Sequence, residues 1–330
     1  MVPFGKEFVN ITLRTIWDYE KIWEEPMQRR VYGGIEGGGT KFDCMIGTDP
    51  DHVLATHTIP TTDPQSTLDA VTRFFQQALQ DHEHVELVAV GVGTFGPIDL
   101  NPTSATYGYI TTTPKSGWQY TNIVGTLKDR LEVPVAFDTD VNAAALGEYL
   151  WGAAQRSDPS IYITVGTGIG GGIYVNGAPL HGLIHPEMGH LQLPRLDSDD
   201  FPGVCPYHTH CWEGIASGPA IAARVGKPAQ YLTPDHPVWE IEAHYLAMAI
   251  TSIMYITSPY RIILSGGVMQ QEHLFPRIRH YVQKILNGYL HHAAVLEDIE
   301  SFIVPPKLGS RAGVLGALEL ARLAEAKHTT

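Results

Sequence analysis

Two glycine-rich turns, each set between strand-forming runs, constrain this chain more than any other feature. The first is Val31-Tyr-Gly-Gly-Ile-Glu36, then Gly37 to Gly39, then Thr40-Lys-Phe-Asp-Cys-Met-Ile-Gly47. The second is Ile161 to Val165, then Gly166 to Gly172, then Ile173 to Val175. Without a Cβ, glycine lets the N–H groups of a tight turn adopt positive φ and converge on the oxygens of an anion. A single turn of this kind is an ordinary hairpin. Two matched ones, about 130 residues apart, read as a duplicated unit: two similar α/β lobes, each presenting a glycine hairpin to a shared cleft.

The intervening sequence fits that scheme. Leu68, Val71, Phe74, Phe75 and Leu79 recur at helical spacing and predict a helix over residues 65–80, while Val85–Val92 reads as a strand buried on both faces. A strand over 133–137 leads into Asp138-Thr-Asp140-Val-Asn142, followed by a helix over 143–151. Further helices are expected over 238–256, 273–290 and 312–324, with strands over 52–59, 261–264 and 301–304. The expected division is a small α/β domain over 31–140 and a large one over 141–310. A C-terminal helix over 311–326 packs back on the small domain. Before Val31, the segment 1–30 reads either as an extension preceding a true start at Met27 or as a helix with Val9, Leu13, Ile16 and Trp23 on one face.

Charge narrows the function classes. With 22 Lys and Arg against 35 Asp and Glu, the formal charge is −13, so no broad basic surface is expected for nucleic acid or anionic lipid. Three cysteines are too few for a disulfide framework, and no membrane span or secretory signal is evident, which points to the cytoplasm. Phosphate must then be held locally, by Gly38, Gly39, Thr40 and Lys41 in the first turn, by Gly166, Thr167 and Gly168 in the second, and by Gly266 and Gly267 after the strand at 261–264. The G-x-G-x-x-G beginning at Gly166 is no dinucleotide fingerprint, because a strand rather than a helix follows it, and no P-loop sequence occurs.

Asp140, at the carboxyl end of a strand, faces the crevice where α/β proteins bind ligands and reads by itself as either a general base or a helix cap. Asp138 either helps organise magnesium or caps the turn. Cys205-Pro-Tyr-His208-Thr-His-Cys211 brings two thiols and an imidazole within seven residues, a spacing suited to tetrahedral zinc. The fourth ligand is His190, with His210 and then His185 as alternatives. If His190 holds the metal, Glu187 is pinned nearby, and Glu213 is positioned likewise.

Taken together, Gly37-Gly-Gly-Thr40-Lys, Asp138-Thr-Asp140-Val-Asn142-Ala-Ala, Gly166-Thr-Gly-Ile-Gly-Gly-Gly172, Gly182 with Glu187-Met-Gly-His190, and the Cys/His cluster resemble the ROK sugar kinases from about Tyr32 to the C-terminal helix. The zinc loop and Thr113-Pro-Lys-Ser-Gly-Trp118 look most like the bacterial fructokinase branch. The resemblance implies an actin-like, hexokinase-type fold, ATP and magnesium as cofactors, a structural zinc, and homodimers. It implies phosphorylation of a hexose, fructose to fructose 6-phosphate, with glucose, mannose or an N-acetylhexosamine as alternative substrates. Asp140 matches the family's base. Glu187, His190 and Glu213 match its sugar-binding positions, and Gly96, Pro97, Thr113 and Thr139 are carried into the same set. The chain departs from many relatives in having Thr139 where they have Asn and His208 where they have a third cysteine. It also has Glu36, a possible magnesium-organising residue, where hexokinase-like enzymes often have Asp. Family members that are regulators carry an N-terminal DNA-binding domain, which the segment before Val31 is too short to supply.

Overall fold

The computed structural model describes residues 28–328. The helical face through Val9, Leu13, Ile16 and Trp23 and the alternative start at Met27 lie outside them.

Three antiparallel strands open the fold: β1 (Arg29–Gly37), β2 (Lys41–Asp49) and β3 (His52–Pro60). Helix α1 (Pro64–Asp81) leads to β4 (Val85–Thr94), then a short hairpin of β5 (Tyr109–Ile110) and β6 (Thr121–Asn122), helix α2 (Ile123–Leu131) and β7 (Val135–Thr139). The Asp63 side chain accepts from Ser66 N–H and caps α1, and Pro64 takes the first turn, where its missing N–H costs nothing. The apolar stripe of α1 buries Leu68, Val71 and Phe75, and β4 is covered on both faces, as its unbroken apolar run requires. The sheet order is β3-β2-β1-β4-β7, with β4 and β7 parallel to β1.

Helix α3 (Asp140–Trp151) connects to a second sheet of the same design. Strands β8 (Ser160–Val165), β9 (Ile169–Val175), β10 (Ala178–Pro179), β11 (Arg261–Ser265) and β12 (Ile303–Val304) lie in the order β10-β9-β8-β11-β12, again an antiparallel trio followed by two parallel strands. Helices α4 (Trp212–Ala216), α5 (Gly218–Val225), α6 (Val238–Thr257) and α7 (Leu274–Leu286), with the single turns α8 (Ala293–Leu296) and α9 (Ile299–Phe302), cover this sheet and enclose its core around Trp212, Trp239 and Leu246. Among the described residues no helix is long and apolar enough to cross a membrane.

The two lobes are tied by exchanged helices. Helix α3 leaves the first sheet and packs on β8 and β9 of the second, whereas α10 (Ala312–His328) leaves the second sheet and packs on β1 and β4 of the first. The two helices cross at glycines. A Cβ on Gly316 would lie 1.6 Å from the Ala143 carbonyl oxygen, and one on Gly147 would lie 2.5 Å from that of Ala312.

Three local expectations change. The second turn closes at Gly168, and Gly170–Gly172 belong to β9, where they admit close neighbours: a Cβ on Gly171 would sit 2.2 Å from Met188 Sδ, and one on Gly172 2.3 Å from the Val141 carbonyl. Helix α3 begins at Asp140, three residues before the expected start, because Thr139 supplies its cap. The final strand is only Ile303–Val304, since Ile299–Phe302 wind into α9.

Candidate active site

The ends of three neighbouring strands form the floor of the cleft. Gly37 of β1 lies beside Thr94 of β4, and Thr94 beside Thr139 of β7. The Thr139 hydroxyl accepts from Asn142 N–H at 3.1 Å, which makes Asp140 the first residue of α3. Asp140 Oδ1 accepts from Val141 N–H at 2.9 Å. A helix N-terminus favours the carboxylate, but burial outweighs it and pushes the Asp140 pKa up to about 6. Asp138 is committed to its surroundings. Its Oδ1 accepts from Thr139 N–H at 2.8 Å and Asn142 Nδ2 at 2.7 Å, and Oδ2 lies 2.8 Å from His181 Nε2. Its carboxylate therefore braces the strand end that presents Asp140.

Glu187, with about a third of its side chain accessible (35%), lies within electrostatic reach of Asp140 and Glu213. Burial, and then the negative charges of Asp140 and Glu213, push its pKa up to about 7. His185 orients it. The buried imidazole accepts from Ile98 N–H at Nε2 (3.1 Å), which leaves the proton on Nδ1, 3.4 Å from Glu187 Oε1. Burial lowers the His185 pKa and favours this neutral form. Gly96 and Pro97 precede Ile98, and a Cβ on Gly96 would lie 3.2 Å from His185 Cε1, so these two residues adjoin the Glu187 side. Thr113 and Thr139 are buried, 1% and 3% exposed, and both hydroxyls are engaged by backbone amides, that of Thr113 by Lys115 N–H at 3.3 Å. Glu213, in the first turn of α4, accepts from Ile169 N–H at 2.9 Å through Oε2.

Both glycine turns are closed by backbone hydrogen bonds. In the first, Gly38 N–H donates to the Lys41 carbonyl at 2.8 Å, Thr61 N–H to the Thr40 carbonyl at 2.9 Å, and Lys41 Nζ pairs with Asp43 at 2.6 Å. In the second, Gly166 N–H donates to the Gly168 carbonyl and Gly218 N–H to the Gly166 carbonyl, each at 2.8 Å, and Thr167 is exposed. Gly266, at φ +95°, brings the end of β11 against β8, where a Cβ would sit 2.4 Å from the Val165 carbonyl. Gly267 N is 3.8 Å from where a Gly166 Cβ would be. Gly166, Gly168, Gly266 and Gly267 thus gather in one place.

Glu36 is the penultimate residue of β1, directly before the first glycine turn. Its carboxyl packs on the start of α10, so tightly that a Cβ on Gly313 would come within 2.3 Å of it, and Oε2 is buried without a hydrogen-bond partner. Burial, and then the charges of Asp140 and Asp43, push its pKa up to about 8. An orphaned acidic oxygen beside a second carboxylate suits a divalent cation.

Four further donors converge at the start of α4. His190, Cys205, His208 and Cys211 have ligand atoms all within 4.8 Å of one another. His190 Nδ1 is 3.4 Å from Cys211 Sγ and 3.9 Å from Cys205 Sγ, and His208 Nδ1 is 3.8 Å from Cys205 Sγ. Tetrahedral zinc with ordinary Zn–S and Zn–N bonds spaces its ligands by roughly 3.6 Å, so the donor set fits. His210 and His185 are not in the cluster. The contributions of His185 and His181 are not evident from the sequence, because their partners Ile98 and Asp138 lie 87 and 43 residues away.

The chain is similar along most of its length to known sugar kinases. It is 49% identical over 292 residues to a Bacillus subtilis (strain 168) protein provisionally named a fructokinase, covering 88% of this chain and 95% of that one. It is 43% identical to the fructokinase of Pediococcus pentosaceus, over 88% of this chain and 98% of the relative. The crystal structure of the ROK hexokinase from Thermus thermophilus superposes with a TM-score of 0.73 at 28% identity, covering 90% and 99% of the two chains, which agrees with a two-lobed actin-like fold. The ROK family model matches residues 32–324, and the chain belongs to the ROK family.

Proposed function

We propose that this protein is an ATP-dependent hexose kinase whose preferred substrate is fructose and whose product is fructose 6-phosphate. The observation that carries the mechanism is the Asp140 carboxylate, presented by a capped helix start at the meeting point of two glycine-hairpin sheets, with a pKa raised to about 6. A base of that strength is largely ionised at neutral pH yet strong enough to take a proton from a hydroxyl as it attacks phosphorus. Asp140 accepts the proton of the sugar 6-hydroxyl, and the oxygen takes the γ-phosphoryl of ATP. Glu187, His190 and Glu213 hold other sugar hydroxyls, with Gly96 and Pro97 forming the adjoining wall.

Gly38, Gly39, Thr40, Lys41, Gly166, Thr167, Gly168, Gly266 and Gly267 cradle the nucleotide. Magnesium bound with ATP would neutralise phosphate charge, and Glu36 would organise it, with Asp138 bracing the strand end that carries Asp140. Zinc on four protein ligands has no open position for water, so its part is to hold the loop. The lobes divide near residue 140. The working form is a cytoplasmic homodimer.

Fructose stands first because the relatives named fructokinase share 38–49% identity with the chain, against 27–28% for those named glucokinase. A coupled ADP-release assay over a panel of hexoses tests this: kcat/KM is expected to be highest for fructose. Higher efficiency with glucose or mannose would replace the substrate and leave the role of Asp140 standing.

A further inference from the structure

The loop over residues 111–120, between β5 and β6, rests on the first glycine turn. Its base is firmly held. Thr111 donates to the Pro97 carbonyl through N–H at 2.7 Å and through its hydroxyl at 3.0 Å. Trp118 is fully buried between Phe42 and Phe95, and its Nε1 donates to the Thr62 carbonyl at 2.8 Å. From this frame Lys115 reaches across, and its ammonium donates to the Gly39 carbonyl.

Lys41, the other cation of this turn, is neutralised by Asp43. Lys115 faces only a carbonyl: no carboxylate pairs with it among the described residues. The turn beside it is open, since a Cβ on Gly39 would meet nothing within 4 Å. Meanwhile the acidic residues Asp140 and Glu213 adjoin Glu187, in a chain of net charge −13. A nucleotide tail entering such a cleft is repelled unless a local cation meets it, and an ammonium on a flexible stem is suited to follow a moving phosphoryl group. An ammonium bonds far more strongly to a phosphate anion than to a neutral carbonyl, so the Gly39 contact is readily exchanged.

We propose that Lys115 is a further catalytic residue, whose ammonium leaves the Gly39 carbonyl to bind the terminal phosphoryl group of the nucleotide during its transfer to the sugar. This rests on the ATP-dependent kinase reading above.

The test is calorimetric titration of Lys115→Met and Lys115→Arg, in the full-length zinc-loaded protein, with Mg-ADP and with the Mg complex of a non-hydrolysable β,γ-imido ATP analogue. Lys115→Met is expected to weaken the triphosphate analogue roughly tenfold or more while ADP affinity stays within about twofold. Its kcat should fall by roughly 10²-fold with KM for fructose little changed, and Lys115→Arg should recover part of the loss. Equal weakening of both nucleotides would overturn the proposal, since Lys115 would then only brace the turn through Gly39. Unchanged binding of both would overturn it as well. Failure of the unsubstituted protein to bind either nucleotide would instead remove the kinase reading, and this inference with it.

Discussion

The Oε2 atom of Glu213 accepts a hydrogen bond from the backbone N–H of Ile169 at 2.9 Å. Glu213 is two residues beyond Cys211, and Ile169 begins the strand that leaves the second glycine turn. One carboxylate thus joins the segment that carries Cys211 to the second glycine turn. Gly168 is glycine for the same reason: a Cβ there would sit 2.5 Å from Glu213 Oε2. Glu213→Ala should therefore weaken both substrates, because it removes a proposed sugar contact and leaves the Ile169 N–H without its acceptor. A loss of about 1–3 kcal/mol is expected from the orphaned amide if it is kept from water. Calorimetric titration with fructose and with Mg-ADP checks this, and weakening of fructose alone would break the link to the turn.

The metal cluster makes a separate prediction. Cys205 and Cys211 are buried, and burial followed by the neighbouring Cys205 pushes the Cys211 thiol up to about 11. Two thiols and two imidazoles with ligand atoms all within 4.8 Å of one another make a donor set suited to one metal ion. One zinc per chain is expected by metal analysis, and chelation or Cys211→Ser should lower the melting temperature by several degrees or more, since structural zinc in small model sites contributes on the order of 10 kcal/mol. Fructose affinity should fall in parallel, because His190 and Glu213 flank the metal. An unchanged melting temperature after complete zinc removal would contradict this.

Proton linkage gives a third. Glu36, Glu187 and Asp140 all have folded-state pKa values raised above those of an unfolded chain, to about 8, 7 and 6. The folded protein therefore binds protons that the unfolded chain has released, and the stability of the ligand-free, magnesium-free protein should fall as pH rises from about 4 to about 8. Glu36→Gln removes the most strongly shifted member and should flatten the upper part of that slope. Melting curves across this range provide the check, and a melting temperature that rises steadily through neutral pH would be the wrong sign.

Packing gives a fourth. A Cβ at residue 316 would fall 1.6 Å from the Ala143 carbonyl oxygen, where α10 crosses α3. Neither helix can yield without leaving its sheet, so Gly316→Ala should destabilise the fold by about 3 kcal/mol or more. Chemical denaturation measures it directly, and a loss below about 0.5 kcal/mol would mean the helices separate easily.

Several features of this architecture could be read along the chain because their signals are local. Glycine runs between strands, an acid after a strand, and Cys-x-x-His-x-x-Cys each carry their physics within a few residues. The duplicated sheet followed from the glycine turns alone. The exchange of α3 and α10 between lobes could not be read, because the glycines that permit it, Gly147 and Gly316, sit in helices whose own periodicity is unremarkable. The second turn was overdrawn for a related reason: Gly170–Gly172 serve close packing in a strand rather than turn geometry. Contacts within the site are hidden by separation along the chain. Ile98 and His185 are 87 residues apart, Gly39 and Lys115 76, and Ile169 and Glu213 44.

Asp140→Asn tests the central claim most directly, with kcat and fructose affinity measured on the same preparation across pH. In the unsubstituted enzyme, kcat/KM should fall as pH drops through about 6, because protonated Asp140 cannot accept the hydroxyl proton. The variant should bind fructose and nucleotide within a few-fold of normal, lose roughly 10²–10⁴-fold in kcat, and no longer show that acid limb. A variant that keeps kcat within about tenfold, with the limb intact, would contradict the assignment of Asp140 as the base.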